Sequence, residues 1–452
     1  MFSKPPPLES PTNNHSSSIY ERPAELLQNL IRFDTTNPPG NERACIEYIH
    51  NLLKDAGVQA DLLARTPDRP NLIARLKGSG NAPPLMLYGH VDVVTTQGQK
   101  WSHPPFEGRI VDGFIWGRGA LDMKHGIAMY LAAIMKAKAE RISFPGDLIF
   151  LATVDEETGC ENGAKFLVEQ HADLFDGVRY ALSEFGGASI SIAGKRFYPI
   201  QTSEKLVCPV RITFHGKGGH GAVPIQGGAM AKLAAALTTI DRHQLPVHVT
   251  PQARLMFETI ADGLGGVKGL VLRLILNPIF TNLIIKRLGK TGSTFAPLLH
   301  NTVSPTMIKT SQDLNIIPSE VSLVLDGRIL PGLTPSALEA ELRDLLGKEC
   351  TIESSLPSPG STSTDMGLFG FLASTLKELD PLAMPFPFVN YAVTDGRFFS
   401  EIGIQTYGFT PLALEEGLDL TGSIHAANER VPVAALEFGV QAVSRALLAF
   451  RG

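Results

Sequence analysis

The chain has 452 residues, of which 44% are hydrophobic and 19% are charged, a composition typical of a globular protein with two or three domains. Its 40 lysine and arginine residues and 45 aspartate and glutamate residues give a formal net charge of -5, which excludes the global basic field by which proteins attract nucleic acid. The four cysteines lie far apart and form no CxxC pair, so the sequence favours reduced thiols in a cytoplasmic protein over a disulfide framework.

Neither the N-terminal segment nor the most apolar segment of the chain is typical of a membrane-inserted sequence. Residues 1–18 are rich in Pro, Ser and Asn and lack the apolar core of a signal peptide, so we expect a flexible tail. The most apolar segment, 269–288, is interrupted by Arg273, Pro278 and Lys286 and falls short of a continuous span. We therefore expect no transmembrane helix.

Residues 82–187 alternate apolar runs with helical periodicity, which predicts a mainly parallel sheet covered by helices. The runs PLMLYGHVDVV (84–94) and DLIFLATVDEE (147–157) predict buried strands that end in polar residues. Between them, apolar side chains recur at helical spacing after the turn GRGALDMKHG, which predicts a crossover helix. Because ligands of open α/β sheets bind beyond the carboxyl ends of the strands, these polar ends are the first place to search for a site.

The pattern changes near residue 201. The run CPVRITFHGK (208–217) alternates apolar and polar side chains, which indicates a half-exposed antiparallel strand, and a helix is predicted at 228–240. A second alternating strand (320–330), a helix and a further strand complete a small antiparallel unit. The predicted domains are the tail (1–18), a catalytic domain (19–200 and 358–452) and an inserted lid or dimerisation domain (201–357), with a Ser/Pro/Gly return linker at 357–364.

His90 and Asp92 stand at i and i+2 at the end of the predicted strand 84–94, so their side chains point to the same face. This spacing allows a carboxylate to hold one ring nitrogen of the histidine while the other nitrogen binds a metal ion. Taken alone, the pair also fits a strand-end histidine with a hydrogen-bonded aspartate.

Further carboxylates and a second histidine occur where other elements end. They are Asp122 in GRGALDMKHG, Glu156 and Glu157 in TVDEETG, Glu184 in SEFGG and His425 in GSIHAANE. Uncompensated carboxylates at buried strand ends are costly, so a positive charge must lie between them. Two zinc ions about 3.5–4 Å apart, joined by a bridging carboxylate, would satisfy such a set.

The number and type of these side chains are sufficient to bind two ions. The assignment is Asp122 as the bridge, His90 and Glu184 on one ion, and Glu157 and His425 on the other. This leaves Glu156 free to take a proton from the attacking water and to deliver it to a leaving amine. The alternative is that Glu156 and Glu157 form an exposed acidic turn.

At this point the sequence resembles a known family, the co-catalytic zinc exopeptidases and deacylases that include glutamate carboxypeptidase, succinyl-diaminopimelate desuccinylase, acetylornithine deacetylase, aminoacylase and a carboxypeptidase S-like branch. The matching words, in family order, are YGHVDVV, GRGALDMKHG, TVDEETG, SEFGG, GKGGHGAVP, NIIPSEVSLVLDGRILPG, TDGRFF and IHAANERV. An ordered set of this kind is specific, whereas any single word would be weak. The resemblance implies an α/β fold: a mixed sheet flanked by helices, with an inserted ferredoxin-like α+β domain.

The resemblance also implies roles for individual residues. It implies the same five metal ligands, with Asp92 supporting His90 and Glu156 as general base and acid, and a cis peptide bond after Asp122. His220 in GKGGHGAVP resembles the family histidine that reaches the active site from the smaller domain, often from a partner subunit, and hydrogen-bonds the oxyanion. The alternative for His220 is a solvated loop histidine.

Two further positions resemble family residues that bind the free carboxylate of an amino-acid substrate. They are Asn315 in NIIP and Arg397 in TDGRF. A guanidinium can hold a carboxylate by two hydrogen bonds. For Arg397 a structural salt bridge with Asp395 is an equal alternative.

The sequence therefore predicts a zinc-dependent hydrolase, with cobalt or manganese as substitute metals, that cleaves a peptide or amide bond next to a free amino-acid carboxylate. The alternative is an N-acyl amino acid amidohydrolase for hydrophobic acyl groups, with 270–288 lining the acyl pocket. A remoter alternative is a non-catalytic binding protein that has kept the fold, which predicts a lost ligand. A role for His220 in trans would require a homodimer through the inserted domain.

Overall fold

A computed structural model describes residues 18–311, 313–357, 360, 365–418 and 420–451. Its strands are β1 (Ala60–Leu63), β2 (Asn71–Leu76), β3 (Leu85–His90), β4 (Arg109–Val111), β5 (Phe114–Trp116), β6 (Leu148–Thr153), β7 (Tyr180–Ser183), β8 (Ile190–Ile192), β9 (Lys195–Glu204), β10 (Leu206–Val207), β11 (Val210–His215), β12 (Gly219–His220), β13 (Thr302–Lys309), β14 (Ile316–Ile317), β15 (Glu320–Ile329), β16 (Cys350–Ser354), β17 (Met384–Asn390), β18 (Gln405–Gly408) and β19 (Arg430–Pro432).

The helices are α1 (Pro23–Ile31), α2 (Arg43–Asp55), α3 (Lys124–Ala139), α4 (Ala164–Gln170), α5 (Ala229–Arg242), α6 (Pro251–Leu264), α7 (Gly266–Leu274), α8 (Pro278–Arg287), α9 (Lys290–Phe295), α10 (Pro335–Leu346), α11 (Phe369–Leu379), α12 (Gly396–Glu401), α13 (Leu420–Ser423) and α14 (Val433–Ala449). Except for Ser18, the predicted tail lies outside the described residues, as does most of the predicted linker. The bounds of the predicted strands and helices agree with the structure to within a few residues, apart from the polar ends of 84–94 and 147–157, which belong to loops.

The large sheet is mixed, with the strand order β1-β2-β6-β3-β7-β18-β9-β17 and β8 paired with β9. At its centre β6, β3, β7 and β18 run parallel, and His90 at the end of β3 is opposite Thr153 at the end of β6. All six residues of β3 and of β6 are buried, as expected for central strands covered on both faces. The predicted fold class, a mixed α/β sheet flanked by helices, is confirmed.

Helix α3 is the crossover predicted between β3 and β6. It is rich in Ala, Leu, Met and Lys, which are strong helix formers, and two lysines in its last turn suit the negative end of the helix dipole. It packs between the sheet and the helices α1 and α14 and is buried on nearly all sides. The other face of the sheet is covered by α4 and α12, so the strand ends are held between two layers of helices.

The second sheet is antiparallel, with the order β10-β15-β11-β16 and β13 paired with β15. Along β11, Val210, Ile212 and Phe214 are buried while the residues between them face outward, as the alternation predicted. The helices α5 and α10 cover the apolar face with Leu233 and Leu338. This sheet has a hydrophobic core of its own.

The helices α6 to α9 lie in the sequence between the two halves of the antiparallel unit, but α6 does not pack on its sheet. In α6, Met256, Phe257 and Ile260 pack with Phe197 of β9 and Phe386 of β17, at the edge of the large sheet. The sequence predicted one self-contained inserted unit, but the apolar face of α6 finds its partners on the other sheet. Strand β9 also continues four residues beyond residue 200, so the domain limits stay a prediction.

No helix in the described part of the chain is long and apolar enough to cross a membrane. Asn277 and Pro278 divide the apolar segment into the short helices α7 and α8, and the side chain of Asn277 accepts a hydrogen bond from the N–H of Ile279. Proline suits the first turn of a helix, where its missing N–H leaves no intrahelical bond unmade.

Candidate metal centre

The parallel strands bring the predicted acidic residues together. His90 is the last residue of β3, Glu184 follows β7, and Glu156 and Glu157 lie in a 3-10 turn just beyond β6. Because parallel strands present their carboxyl ends at one edge, side chains separated by about 30 to 90 residues in the sequence meet there. Asp122 enters from the turn that precedes α3.

The first ligand group consists of His90, Asp122 and Glu184. The Nε2 atom of His90 lies 3.1 Å from Asp122 Oδ1 and 3.4 Å from Glu184 Oε2. One potential ligand atom of each side chain lies within 4.8 Å of the others, and all three side chains are buried. One nitrogen and two carboxylate oxygens at this spacing form a donor set that suits a divalent cation.

The second ligand group shares Asp122 with the first. The Nε2 atom of His425 lies 3.1 Å from Asp122 Oδ2 and 3.3 Å from Glu157 Oε1. The Oε1 atom of Glu157 is buried and faces this ring nitrogen, so the two atoms are placed to share a cation. Asp122 thus offers one oxygen to each group, which is the geometry of a bridging carboxylate.

Asp92 holds the Glu156–Glu157 turn in place. Its carboxylate accepts hydrogen bonds from the backbone N–H groups of Glu156 (3.2 Å) and Glu157 (3.1 Å) and from the side chain of Asn37 (2.9 Å). The Nδ1 atom of His90 lies 3.0 Å from the backbone oxygen of Asp92 and 3.5 Å from its carboxylate. A hydrogen bond from Nδ1 to the backbone oxygen would leave Nε2 as the metal-binding atom.

A buried ion pair joins the loop of Asp122 to the loop of His425. The Arg118 guanidinium donates to Glu429 at 2.6 Å, and neither side chain is exposed. The other carboxylate oxygen of Glu429 accepts from the N–H groups of Leu121 and Asp122, while Arg118 also donates to the backbone oxygen of His425. Sequence reasoning assigned no role to this pair, although both residues lie within the words GRGALDMKHG and IHAANERV.

The electrostatics of the group favour a bound cation. Burial raises the pKa of Glu184 to about 8, and burial together with the Glu184 carboxylate raises the pKa of Glu156 well above its usual range. Despite its burial, hydrogen bonds from His425 and His90 hold the pKa of Asp122 below its usual value. Without a cation, the cluster can lower its energy only by taking up protons, so the residues present fit a metal centre.

The peptide bond between Asp122 and Met123 is cis, as the resemblance implied. His220 and Asn315, in contrast, lie together on a separate exposed ribbon formed by β12 and β14. The N–H of Gly221 donates to the backbone oxygen of Asn315 at 2.7 Å. No contact in the described part of the chain joins either residue to the ligand groups. For these two residues to take their predicted roles, the ribbon would have to move toward the ligand groups, or the residues would have to come from a partner subunit.

Arg397 lies behind the Glu156 turn, at the start of α12. Its guanidinium is 3.4 Å from the sulfur of Cys160 and lies over the ring of Phe398. Within the described residues no ion pair joins Arg397 to Asp395, so the alternative of a structural salt bridge between them is not supported. The carboxylate of Asp395 accepts instead from Thr153 at 2.8 Å.

An apolar pocket of about 200 Å³ adjoins the candidate ligands Asp122 and Glu184. Its apolar walls are formed by Leu121, Ala188, Ile190, Pro199, Met256, Phe295, Leu298, Phe386, Phe388, Leu412 and Ile424. The expectation that 270–288 lines such a pocket is wrong, because only residues on either side of that segment reach it. Two larger cavities, of about 380 and 600 Å³, contain none of the candidate site residues.

His125 also lines this pocket, a position to which the sequence analysis gave no role. It is only 4% exposed, and its Nδ1 atom has no hydrogen-bond partner among the described residues. Burial lowers its pKa to about 4, so its imidazole is neutral at physiological pH. The sequence did contain a signal for this position, because His125 follows the candidate ligand Asp122 by only three residues.

The profile of the family described as Peptidase family M20/M25/M40 matches residues 86–449. The chain is 27% identical over 372 residues to probable carboxypeptidase S-like 2 of Dictyostelium discoideum, which covers 77% of this chain and 68% of that protein. It is 26% identical over 400 residues to aminoacylase-1 of Sus scrofa, which covers 86% of each.

Among solved structures, an M20 family metallo-carboxypeptidase from Sulfolobus solfataricus has a similar fold. The TM-score is 0.66 at 17% sequence identity, and the match covers 95% of this chain and 99% of that chain.

We predict that Glu429→Ala lowers the free energy of unfolding by about 3–5 kcal/mol, because it leaves Arg118 buried without its partner. Urea-induced unfolding of the metal-free protein measures this loss. Glu378→Ala is the matched control: it removes an exposed pair with Arg445 and should cost less than about 1 kcal/mol. Similar losses for both variants would contradict the stabilising role of the buried pair.

Proposed function

The chain belongs to peptidase family M20/M25/M40 and is a metallohydrolase of peptide or amide bonds, and we propose that its scissile bond lies next to a free amino-acid carboxylate, as in a carboxypeptidase or dipeptidase. The observation that carries this proposal is the pair of ligand groups that share Asp122, with Glu156 beside them. A non-catalytic protein of this fold would be expected to have lost a ligand, and all five positions are filled.

We propose two zinc ions as the resident metals, with cobalt or manganese as substitutes. His90 and Glu184 would hold one ion, Glu157 and His425 the other, and Asp122 both. The mixed nitrogen and oxygen donors are those that zinc prefers. When bound, the two ions would act as Lewis acids toward the scissile carbonyl and would lower the pKa of the attacking water.

Glu156 is the proposed general base and acid. Asp92 fixes the backbone of Glu156, while the Glu156 side chain is not needed as a ligand and lies in an environment that raises its pKa. A carboxylate with a raised pKa is suited to take a proton from water and then to give it to the departing amine. The same residue can therefore serve both halves of the reaction.

The groups that would recognise the substrate come from two places. Arg397 is proposed to hold the substrate carboxylate, together with Asn315, and His220 to hydrogen-bond the oxyanion. The ribbon with His220 and Asn315 does not touch the ligand groups. These roles would therefore need either a movement that brings the ribbon to the ligand groups or a homodimer in which the partner supplies the ribbon. The four free cysteines are consistent with a cytoplasmic location, which is part of the same proposal.

A second candidate is an N-acyl amino acid amidohydrolase, and one observation favours it. The pocket beside Asp122 and Glu184 is apolar over most of its wall, which would suit a hydrophobic acyl chain better than a charged peptide. The same catalytic groups would serve this reaction, since both substrates present an amide next to an amino-acid carboxylate. The choice between the two candidates is therefore a choice of substrate, not of chemistry.

We expect the purified protein to contain two equivalents of zinc, and Asp122→Ala to retain almost none, because both ligand groups depend on this side chain. Elemental analysis after gel filtration measures the content. Asp112→Ala is the control, since it removes an exposed carboxylate from the turn between β4 and β5 and should leave two equivalents. A single equivalent in the wild type would refute the two-metal assignment.

Glu156→Gln should keep the full metal content and lose about 10²–10⁴ in kcat, because glutamine is similar in shape but cannot carry the proton. Metal content and kcat are measured on the same preparation. The control is Glu161→Gln, an exposed carboxylate five residues further along. Wild-type turnover in Glu156→Gln would remove the assigned base.

If the apolar pocket holds an acyl chain, kcat/KM for an N-lauroyl amino acid should exceed that for its N-acetyl counterpart by at least about tenfold. Ile190→Glu, at the partly exposed rim of the pocket, should reduce this preference, and Ile110→Glu, an exposed isoleucine outside the pocket, should not. Equal rates for the two acyl groups would argue for the peptidase candidate.

A further inference from the structure

The helices α7 and α8 form a hairpin, residues 266–287, with an apolar outer face. In α7 the exposed apolar residues are Val267, Leu270, Val271 and Leu274, at the spacing of one helical stripe. In α8 they are Ile279, Phe280 and Leu283. Val267 is 77% exposed and Ile279 is 82% exposed, while the other five side chains are 41–62% exposed.

Although its outer side chains are exposed, the hairpin is packed against the rest of the protein. Its inner side chains, Leu272, Ile275 and Ile285, are buried in the cluster that also contains Met256 and Leu298. Each helix is therefore apolar on two sides, and packing among the described residues accounts for only one of them. A helix on the surface of a globular protein normally has a polar outer face, so exposed apolar side chains on both neighbouring helices indicate a binding surface.

The charge of the surrounding segment points to the partner. Residues 263–312 contain six lysine and arginine residues and not one carboxylate. Lys268, Lys286 and Arg287 of the hairpin are exposed, and Arg273 is paired with Asp262. The segment is thus basic within a chain whose net charge is -5. Apolar side chains flanked by exposed cations are complementary to an anionic lipid surface.

We propose that the α7–α8 hairpin docks on membranes that contain anionic phospholipid, with its outer face among the acyl chains and its basic side chains at the headgroups. Helices of 9 and 10 residues are too short to span a bilayer but long enough to lie in its interface. Met256 and Leu298, which line the apolar pocket, belong to the same buried cluster as the inner side chains of the hairpin, so one cluster connects the docking surface to that pocket.

The test uses the full chain and sedimentation with vesicles. The wild type is expected to bind vesicles of phosphatidylcholine and phosphatidylglycerol at least about tenfold more tightly than vesicles of phosphatidylcholine alone, and to lose this preference at high salt. A variant with Leu270→Ser, Ile279→Ser and Leu283→Ser should bind at least about tenfold more weakly. Lys268→Glu with Lys286→Glu and Arg287→Glu should abolish the preference for the anionic lipid.

The matched control removes three exposed leucines outside the hairpin, as Leu356→Ser, Leu382→Ser and Leu448→Ser, and should bind as the wild type does. Thermal unfolding and turnover of a short soluble substrate, both expected to be unchanged in the serine variants, show that the fold is intact. The proposal is overturned if the wild type ignores anionic vesicles or if the hairpin variant binds them equally. It is also overturned if that variant converts a dimer into a monomer in light scattering, since a second copy would then cover the face.

Discussion

The site depends on one electrostatic constraint: several carboxylates are held close together at the ends of buried strands. Asp122 contacts both imidazoles of the site, and burial alone would drive Glu156 and Glu184 toward their protonated forms. A fold that places such groups together without a compensating cation would lose several kcal/mol. The arrangement is stable in its ionised form only with positive charge between the two ligand groups, and that requirement links the fold to metal-dependent chemistry.

The rest of the site geometry follows from how these carboxylates are held. Asp92 receives the backbone N–H groups of the Glu156 turn, and Glu429 receives those of Leu121 and Asp122. Each acts through backbone groups, so it fixes a loop without competing for the metal. Carboxylates in this position orient the ligands of a metal site and limit how far they can relax when the charge of the site changes.

Local patterns predict candidate ligands that the structure brings together, but they do not predict the Arg118–Glu429 pair that holds two of the loops. His90 and Glu184 end apolar strands, a feature visible in any window of ten residues, and parallel pairing then brings them together. Arg118 and Glu429 are 311 residues apart and follow no periodicity, so only the folded chain shows that they meet. The apolar pocket was missed for a similar reason: its walls come from several separate segments, and hydropathy alone directed attention to the most apolar one.

In the most apolar segment, the apolar side chains on the inner face of the helices and those on the outer face have different explanations. Leu272 and Ile285 face the core, and their burial accounts for the apolar character of the inner side of the hairpin. Leu270, Ile279 and Leu283 contribute nothing to the described packing, and polar residues at these positions would be expected to improve solubility without loss of the core. The overall charge of the chain conceals the local basic character of the same segment. An outer face that costs solubility and makes no packing contact among the described residues is best explained by a partner, and the excess of basic over acidic side chains in residues 263–312 matches that partner to an anionic surface.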